Sequence, residues 1–148
     1  MRVAQAMTRN VRVASPDQNL IEAAKMMEEC DCGSLPVGEN DRLVGMITDR
    51  DIVIRALAQD KDAHTKIRDI MSDEIEYCFE DDDVTDVAHN MGDLQVRRMA
   101  VLNSDKRLTG IISLGDIVNT GELQSATDAL SGISEPTSLR LDEQTPRH

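Results

Sequence analysis

The sequence predicts a mixed α/β (α+β) protein made of one β-α-β-β-α unit written twice and packed with pseudo-twofold symmetry. Three observations predict it. Met7-Thr8, Leu35-Pro36-Val37 and Gly45-Met46-Ile47-Thr48-Asp49-Arg50-Asp51 recur in the same order as Met71-Ser72, Met99-Ala100-Val101 and Gly110-Ile111-Ile112-Ser113-Leu114-Gly115-Asp116. The shift between the copies is constant from Met7/Met71 to Val37/Val101, and longer by one residue from Leu43/Leu108 to Val53/Val118. The extra residue falls in the turns 38–42 and 102–107, where an insertion leaves the flanking cores intact. A unit of about 60 residues buries too little surface to be stable alone, so the two copies are expected to share one core region. A solenoid is set aside, because stacked arrays need three or more repeats.

Each copy carries the same run of elements. Leu20, Ala23, Ala24 and Met27 match Val84, Val87, Ala88 and Met91, spaced i, i+3, i+4, i+7, which predicts an amphipathic helix in both. Ser15-Pro16-Asp17-Gln18 is expected to start the first of these with a cap, a tolerated proline and an acid. Glu80-Asp81-Asp82-Asp83 is expected to start the second by charge, and also fits a divalent-cation site. Two short apolar runs follow in each copy, Leu35 to Val37 with Leu43 to Thr48, and Met99 to Val101 with Leu108 to Ser113. They read as strand pairs joined by polar turns. A second helix is expected to begin at Asp51 and at Asp116, and a small strand to precede each unit at Val11 to Val13 or Ile75 to Tyr77. The expected division is repeat one at 1–61, repeat two at 62–120 and a tail at 121–148. In that tail Leu123, Ala126, Leu130 and Ile133 make one short helical face, while Gly132, Pro136 and the polar run beyond argue for fraying or disorder.

Composition narrows the class. Sixteen Lys and Arg against 28 Asp and Glu give a net charge of −12, which disfavours nucleic acid or an anionic membrane as the main partner. One Tyr, one Phe and no Trp leave no platform for stacking bases. The chain has no membrane-length apolar run and no apolar core after Met1-Arg2-Val3, so a cytoplasmic protein is expected. Three cysteines do not form a disulfide framework, and Cys30 and Cys32 are expected to be reduced thiols. Cys30-x-Cys32 with His64 or His89 lacks the usual zinc-ligand spacing and a second pair, so no metal site is expected. No base stands near a recognisable nucleophile motif, so catalysis is not expected.

The residues that carry chemistry are Thr48 with Asp51 and Ser113 with Asp116. Each pair follows a glycine and two apolar residues, so hydroxyl and carboxylate project from one strand-to-helix turn. A carboxylate accepts both hydrogens of a ribose diol, while hydroxyl and backbone N–H groups at a helix start suit phosphate. The competing reading is that both pairs are only helix caps.

This doubled Gly-h-h-Thr/Ser-x-x-Asp pattern (h, apolar) after a Leu-Pro-Val-like strand, with Met-Thr or Met-Ser opening each copy, resembles the cystathionine-β-synthase (CBS) domain pair, or Bateman module. The resemblance covers residues 1–120 and implies two clefts that take adenosine-containing ligands such as AMP, ADP, ATP or S-adenosylmethionine. It implies ribose at Asp51 and adenine near Ser72, Ile75 and Glu76 in one cleft, and Thr8, Val11 and Arg12 serving the Ser113/Asp116 cleft. It also implies phosphate at the basic residue before the Leu-Pro-Val-like strand. Arg97-Arg98 holds that place in copy two and Gly33-Ser34 in copy one, which ranks the Asp116 cleft first, with Arg50 and Arg55 compensating in the other. Ala100 stands where copy one has Pro36. The resemblance further implies a flat disc-shaped dimer, common among such pairs, and, for a freestanding pair, usually no established catalytic role. A homodimer is therefore expected, through Ile52, Val53, Ala56 and Leu57.

The leading functional reading is a regulatory adenine-nucleotide sensor acting on a protein target. The runner-up is a ligand-free CBS scaffold for protein interaction or stress response, and a nucleotide-processing enzyme comes third.

Overall fold

A computed structural model of the chain describes residues 1–136. It opens with a short helix α1 (Val3–Ala6). Then come α2 (Leu20–Cys30), β1 (Ser34–Glu39), β2 (Arg42–Thr48) and α3 (Asp49–Asp51), which runs on as a π-helical turn over Ile52–Ala56 and a 3₁₀ turn over Leu57–Gln59. The second half holds a 3₁₀ turn at Ile67–Asp69, β3 (Tyr77–Phe79), α4 (Val84–Leu94), β4 (Arg98–Leu102), β5 (Leu108–Ser113), α5 (Leu114–Asn119) and α6 (Leu123–Ser134). β1 and β2 pair antiparallel, as do β4 and β5, and β3 lies parallel to β4. The small first strand exists only in copy two, beginning at Tyr77. In copy one it shrinks to a bridge between Ala14 and Val37, and no strand forms at 11–13.

The two copies are interlocked by an exchange of their opening segments. Thr8 pairs with Ile111 of β5 through two backbone bonds of 2.8 and 3.0 Å, and Ser72 pairs with Met46 of β2 through two of 2.9 Å. Val3 N–H donates to the carbonyl of Asp82, and the equivalent Ile67 N–H donates to that of Gln18. Even the surface ion pairs repeat, Arg2 with Asp81 at 3.3 Å and Lys66 with Asp17 at 3.9 Å. Two cores result. Ile67 and Ile70 pack with Leu20, Ala23, Leu35, Val37 and Ile47, while Val3 and Met7 pack with Val84, Met91, Val101, Ile112 and Ile117. Each opening thus completes the hydrophobic core of the opposite copy.

Glycines make the exchange possible. A Cβ on Gly110 would lie 2.6 Å from the Thr8 carbonyl oxygen and 2.8 Å from Met7 Sδ. One on Gly45 would lie 2.8 Å from the Ser72 carbonyl oxygen and 2.7 Å from Met71 Sδ. Real Cβ contacts are not that short, so only glycine lets the strands cross.

The helices differ from expectation in two places. Asn19, not the Ser15–Gln18 stretch, caps α2: its side chain accepts from Glu22 N–H, and Glu22 returns the bond to Asn19 N–H. Asn directly before Leu20, with Glu three residues on, is the stronger capping box. Ala24 is exposed and Met26 takes the buried place, whereas the equivalent Ala88 is buried. The cause is α6, which packs on α4 in copy two and has no counterpart in copy one. Within the tail, Leu123–Ser134 form a 12-residue helix on the face expected from Leu123, Ala126, Leu130 and Ile133, and it buries Ala126 and Ala129 while Leu123 and Leu130 stay exposed. Small residues set that choice: a Cβ on Gly132 would sit 2.8 Å from the Gly92 Cα, so α6 meets α4 at backbone distance. Residues 137–148 lie outside the described part of the chain.

Exposed carboxylates at the seams are tied by their neighbours. The Arg68 guanidinium, hydrogen-bonded at 2.8 Å, holds Asp17 below the usual carboxylate range, and the Thr85 hydroxyl and amide do the same for Asp83. The exchange generates a paired test by urea unfolding. Gly110→Ala should destabilise by about 1–3 kcal/mol, because the Thr8 backbone must move. Gly115→Ala, whose Cβ would meet nothing closer than Ser113 Oγ at 3.6 Å, should be neutral or stabilising by up to about 1 kcal/mol.

Candidate functional site

β2 and β5 each run directly into a helix, and the hydroxyl–aspartate pairs lie at these junctions. Thr48 caps α3: its Oγ1 accepts from Asp51 N–H at 3.0 Å, and Asp51 Oδ2 accepts from Thr48 N–H at 3.0 Å. Ser113 and Asp116 repeat this at 3.1 and 3.0 Å. The helices therefore start at Asp49 and Leu114, two residues before the aspartates that the sequence suggested as their beginnings, because a hydroxyl cap with an acid at the third position closes a reciprocal box. Each carboxylate spends one oxygen on this cap. Its Oδ1 accepts no hydrogen bond among the described residues.

Two clefts flank the seam. The first, about 260 Å³, gathers Thr8, Val11 and Arg12 from the opening segment with Arg98, Ser113 and Asp116 from copy two. Arg9, Asn10, Ser34, Leu35 and Ile111 also line it, as do Cys30 and Cys32. Arg9, Arg12 and Arg98 set three cations against the single carboxylate of Asp116. Arg12 shares its charge with Glu29 through an ion pair, and Arg9 donates to the Ala4 carbonyl at 3.3 Å. A cluster of guanidinium groups beside a helix start favours an anionic group locally, although the chain as a whole is acidic.

The second cleft, about 290 Å³, is lined by Thr48, Glu76, Arg97 and Arg98, with Ser34, Met46, Glu74, Val96 and Ala100. Several expected residues stand apart from it. Asp51, half-buried and capped just as Asp116 is, does not reach the lining. Ser72 is held in its bridge to Met46, with its hydroxyl donating to the Glu74 carbonyl at 3.3 Å, and Ile75 does not reach the lining. Arg55 donates to the Ile70 carbonyl at 3.0 Å and, like Arg50, faces elsewhere. Arg97 lines this cleft and, with Ser113, Leu114 and Gly115, a recess at the start of α5, but it is not among the residues that line the cleft with Asp116, where the sequence suggested it. Arg98 borders both clefts, and so does its repeat equivalent Ser34. Carrying each residue to its partner in the other copy would have disclosed that shared wall. Both volumes sit near the lower edge of the ~300–1,000 Å³ typical of small-molecule sites.

The cysteines correct an expectation. Cys30 and Cys32 are joined in a disulfide rather than standing as two thiols. Asp31 between them takes a left-handed conformation, φ 51°, as the C-cap of α2, which turns both side chains to one side with their Cα atoms 5.3 Å apart. Cys78 is the free cysteine among the described residues. It is buried in the second core, where burial, aided by the Asp82 charge, pushes its thiol up to about 12.

The protein-family model for the CBS domain matches this chain twice, at residues 3–57 and 67–121. The chain belongs to the CBS domain family. It is 38% identical over 133 residues to the CBS domain-containing protein YhcV of Bacillus subtilis, covering 89% of this chain and 94% of that protein. Hypoxic response protein 1 of Mycobacterium tuberculosis is 35% identical over 135 residues, covering 90% of this chain and 94% of that protein. The crystal structure of hypoxic response protein I, with two coordinated zinc ions, superposes with a TM-score of 0.73 at 35% identity over 80% of this chain and 98% of that one. The CBS domain pair of protein MJ0100, in complex with 5′-methylthioadenosine and S-adenosyl-L-methionine, superposes with a TM-score of 0.74 at 28% identity over 84% of this chain and 98% of that one. In the CBS pair described here, no cluster of three or more His, Cys, Asp or Glu among the described residues is placed to hold a metal ion. No helix among them is long and apolar enough to cross a membrane.

The capping geometry makes its own prediction for this CBS pair. Ser113→Ala removes the acceptor for Asp116 N–H and should cost about 1 kcal/mol in urea unfolding, with loss of helix signal confined to α5.

Proposed function

We propose that this CBS pair is a non-catalytic regulatory module of the cytoplasm that binds an adenosine-containing ligand in the Asp116 cleft and signals its occupancy to a protein target. AMP, ADP, ATP and S-adenosylmethionine are the ligands in range. One observation carries the reading: Asp116, with Oδ1 free, shares a cleft with Arg9, Arg12 and Arg98, so a diol acceptor and a cationic cluster stand together. The adenosyl ligands of the MJ0100 pair support it. Thr8 and Val11 from the exchanged opening would face the adenine, and Ser113 with the first turn of α5 the ribose and phosphate. The Thr48 cleft sets Glu74 and Glu76 against Arg97 and Arg98, and Asp51, capped just as Asp116 is, does not reach its lining, so it ranks second for an anion. The absence of Asp51 from that lining favours the ligand-free scaffold as the alternative for this side.

Asp116→Asn decides the matter more cleanly than Asp116→Ala, since the amide oxygen keeps the bond from Ser113 N–H while the carboxylate is lost. The variant should melt like wild type yet bind AMP about ten- to a hundredfold more weakly by titration calorimetry, the worth of a charge-assisted interaction of about 1.5–3 kcal/mol. Unchanged affinity would remove Asp116 as the diol acceptor. Absence of binding by any of the four ligands in wild type would leave the scaffold reading.

The module is proposed to act as a homodimer. Val53, Ile54 and Leu57 are 52, 40 and 62% exposed on the helical turns after β2, more apolar surface than a lone helix face needs. Ala56, expected in that interface, is instead fully buried in the first core. Light scattering at micromolar concentration should give twice the chain mass, and Leu57→Glu should give the monomer. A wild-type monomer at every concentration would exclude this interface.

A further inference from the structure

The Cys30–Cys32 pair lies where a change of oxidation state would be felt by a ligand. Both residues line the Asp116 cleft, Cys30 exposed and Cys32 half-buried. They join three parts of its wall. Cys30 ends α2, whose preceding residue Glu29 holds the cleft residue Arg12 in an ion pair. Cys32 N–H donates to the Met27 carbonyl at 3.0 Å, and Met27 is anchored in the first core. Two residues after Cys32, Ser34 opens β1 and borders both clefts. The left-handed residue Asp31 is the pivot between helix and strand, and the disulfide spans that pivot.

We propose that Cys30 and Cys32 form a thiol–disulfide switch that sets the affinity of the Asp116 cleft, the disulfide form binding more tightly. The inference rests on the nucleotide reading of that cleft. In the oxidised form the crosslink fixes the last turn of α2, and with it Glu29 and Arg12, relative to Ser34, so the wall is ordered before the ligand arrives. Reduction frees the pivot, and ordering it again must be met from binding energy. The exchange balances with a small-molecule disulfide as oxidant. One cysteine thiolate attacks it and expels a thiol, giving a mixed disulfide. The second cysteine then attacks its neighbour's sulfur and expels the other thiol, so that two cysteine thiols are oxidised as one external disulfide is reduced to two thiols. Cys78 takes no part, being buried and protonated at neutral pH.

The full chain is treated with oxidised glutathione or with a phosphine reductant, and AMP is titrated into each form by calorimetry. Native alkylation followed by mass spectrometry should label neither Cys30 nor Cys32 in the oxidised form and both in the reduced form. Affinity for AMP should fall about threefold or more on reduction. Cys30→Ser/Cys32→Ser should bind like the reduced form under both treatments. Equal affinity in the two wild-type forms would overturn the switch and leave the nucleotide site standing. Alkylation of both cysteines after oxidised glutathione would overturn the switch at its chemistry. No AMP binding in either form, with the disulfide confirmed by mass, would defeat the AMP site and the switch together.

Discussion

The crossing of each Met-Thr/Ser opening over the glycine of the opposite copy is the constraint from which the rest of the molecule follows. At Gly110 and Gly45 the backbone of the other half passes where a side chain would be. The crossing strand then lends its backbone to the sheet edge and its methionine or isoleucine to the core. Neither half owns a complete core without it. The Asp116 cleft is built directly beside one such crossing, because Thr8, fixed by its two bonds to Ile111, carries residues 9–12 along the end of β5. A ligand lying there touches both copies at once, which is the geometry a sensor needs if occupancy is to change how the halves sit together.

Much of this was legible in the chain, and the parts that were not share a cause. Val84, Val87, Ala88 and Met91 are all buried, and β1, β2, β4 and β5 lie where the apolar runs placed them, because period and propensity act over a few residues. The repeat itself identified Thr48/Asp51 and Ser113/Asp116 as equivalent before any geometry was known. What escaped was non-local. Nothing near Thr8 in sequence announces Ile111, and nothing near Ala88 announces that α6 will cover it while Ala24 stays bare. Arg97 and Arg98 form one basic dipeptide in sequence, and in space both line the second cleft while Arg98 alone of the two also borders the first. The Cys-x-Cys spacing carried no framework signal, yet a left-handed Asp31 was enough to close the pair.

Pseudo-symmetry is strict in the backbone and loose at the surface. The seam bonds of Val3 and Ile67, and those of Thr8 and Ser72, repeat almost to the atom. The side chains in the two clefts do not: the first is lined by Arg9 and Arg12, where the second has Glu74 and Glu76. Duplication thus supplied one scaffold with two recesses of different charge, and the chain can treat them differently without altering its fold.

The exchange also orders events as the chain emerges. The first core is complete once Ile70 has been made, for it needs nothing downstream. The second must wait. Its components run from Val3 to Ala129, so Val3 and Met7 remain without their partners until the segment up to Ala129 has been made. Loss of Val3 and Met7, or of Ala126 and Ala129, would strike the same half of the molecule, since the first core draws on none of them.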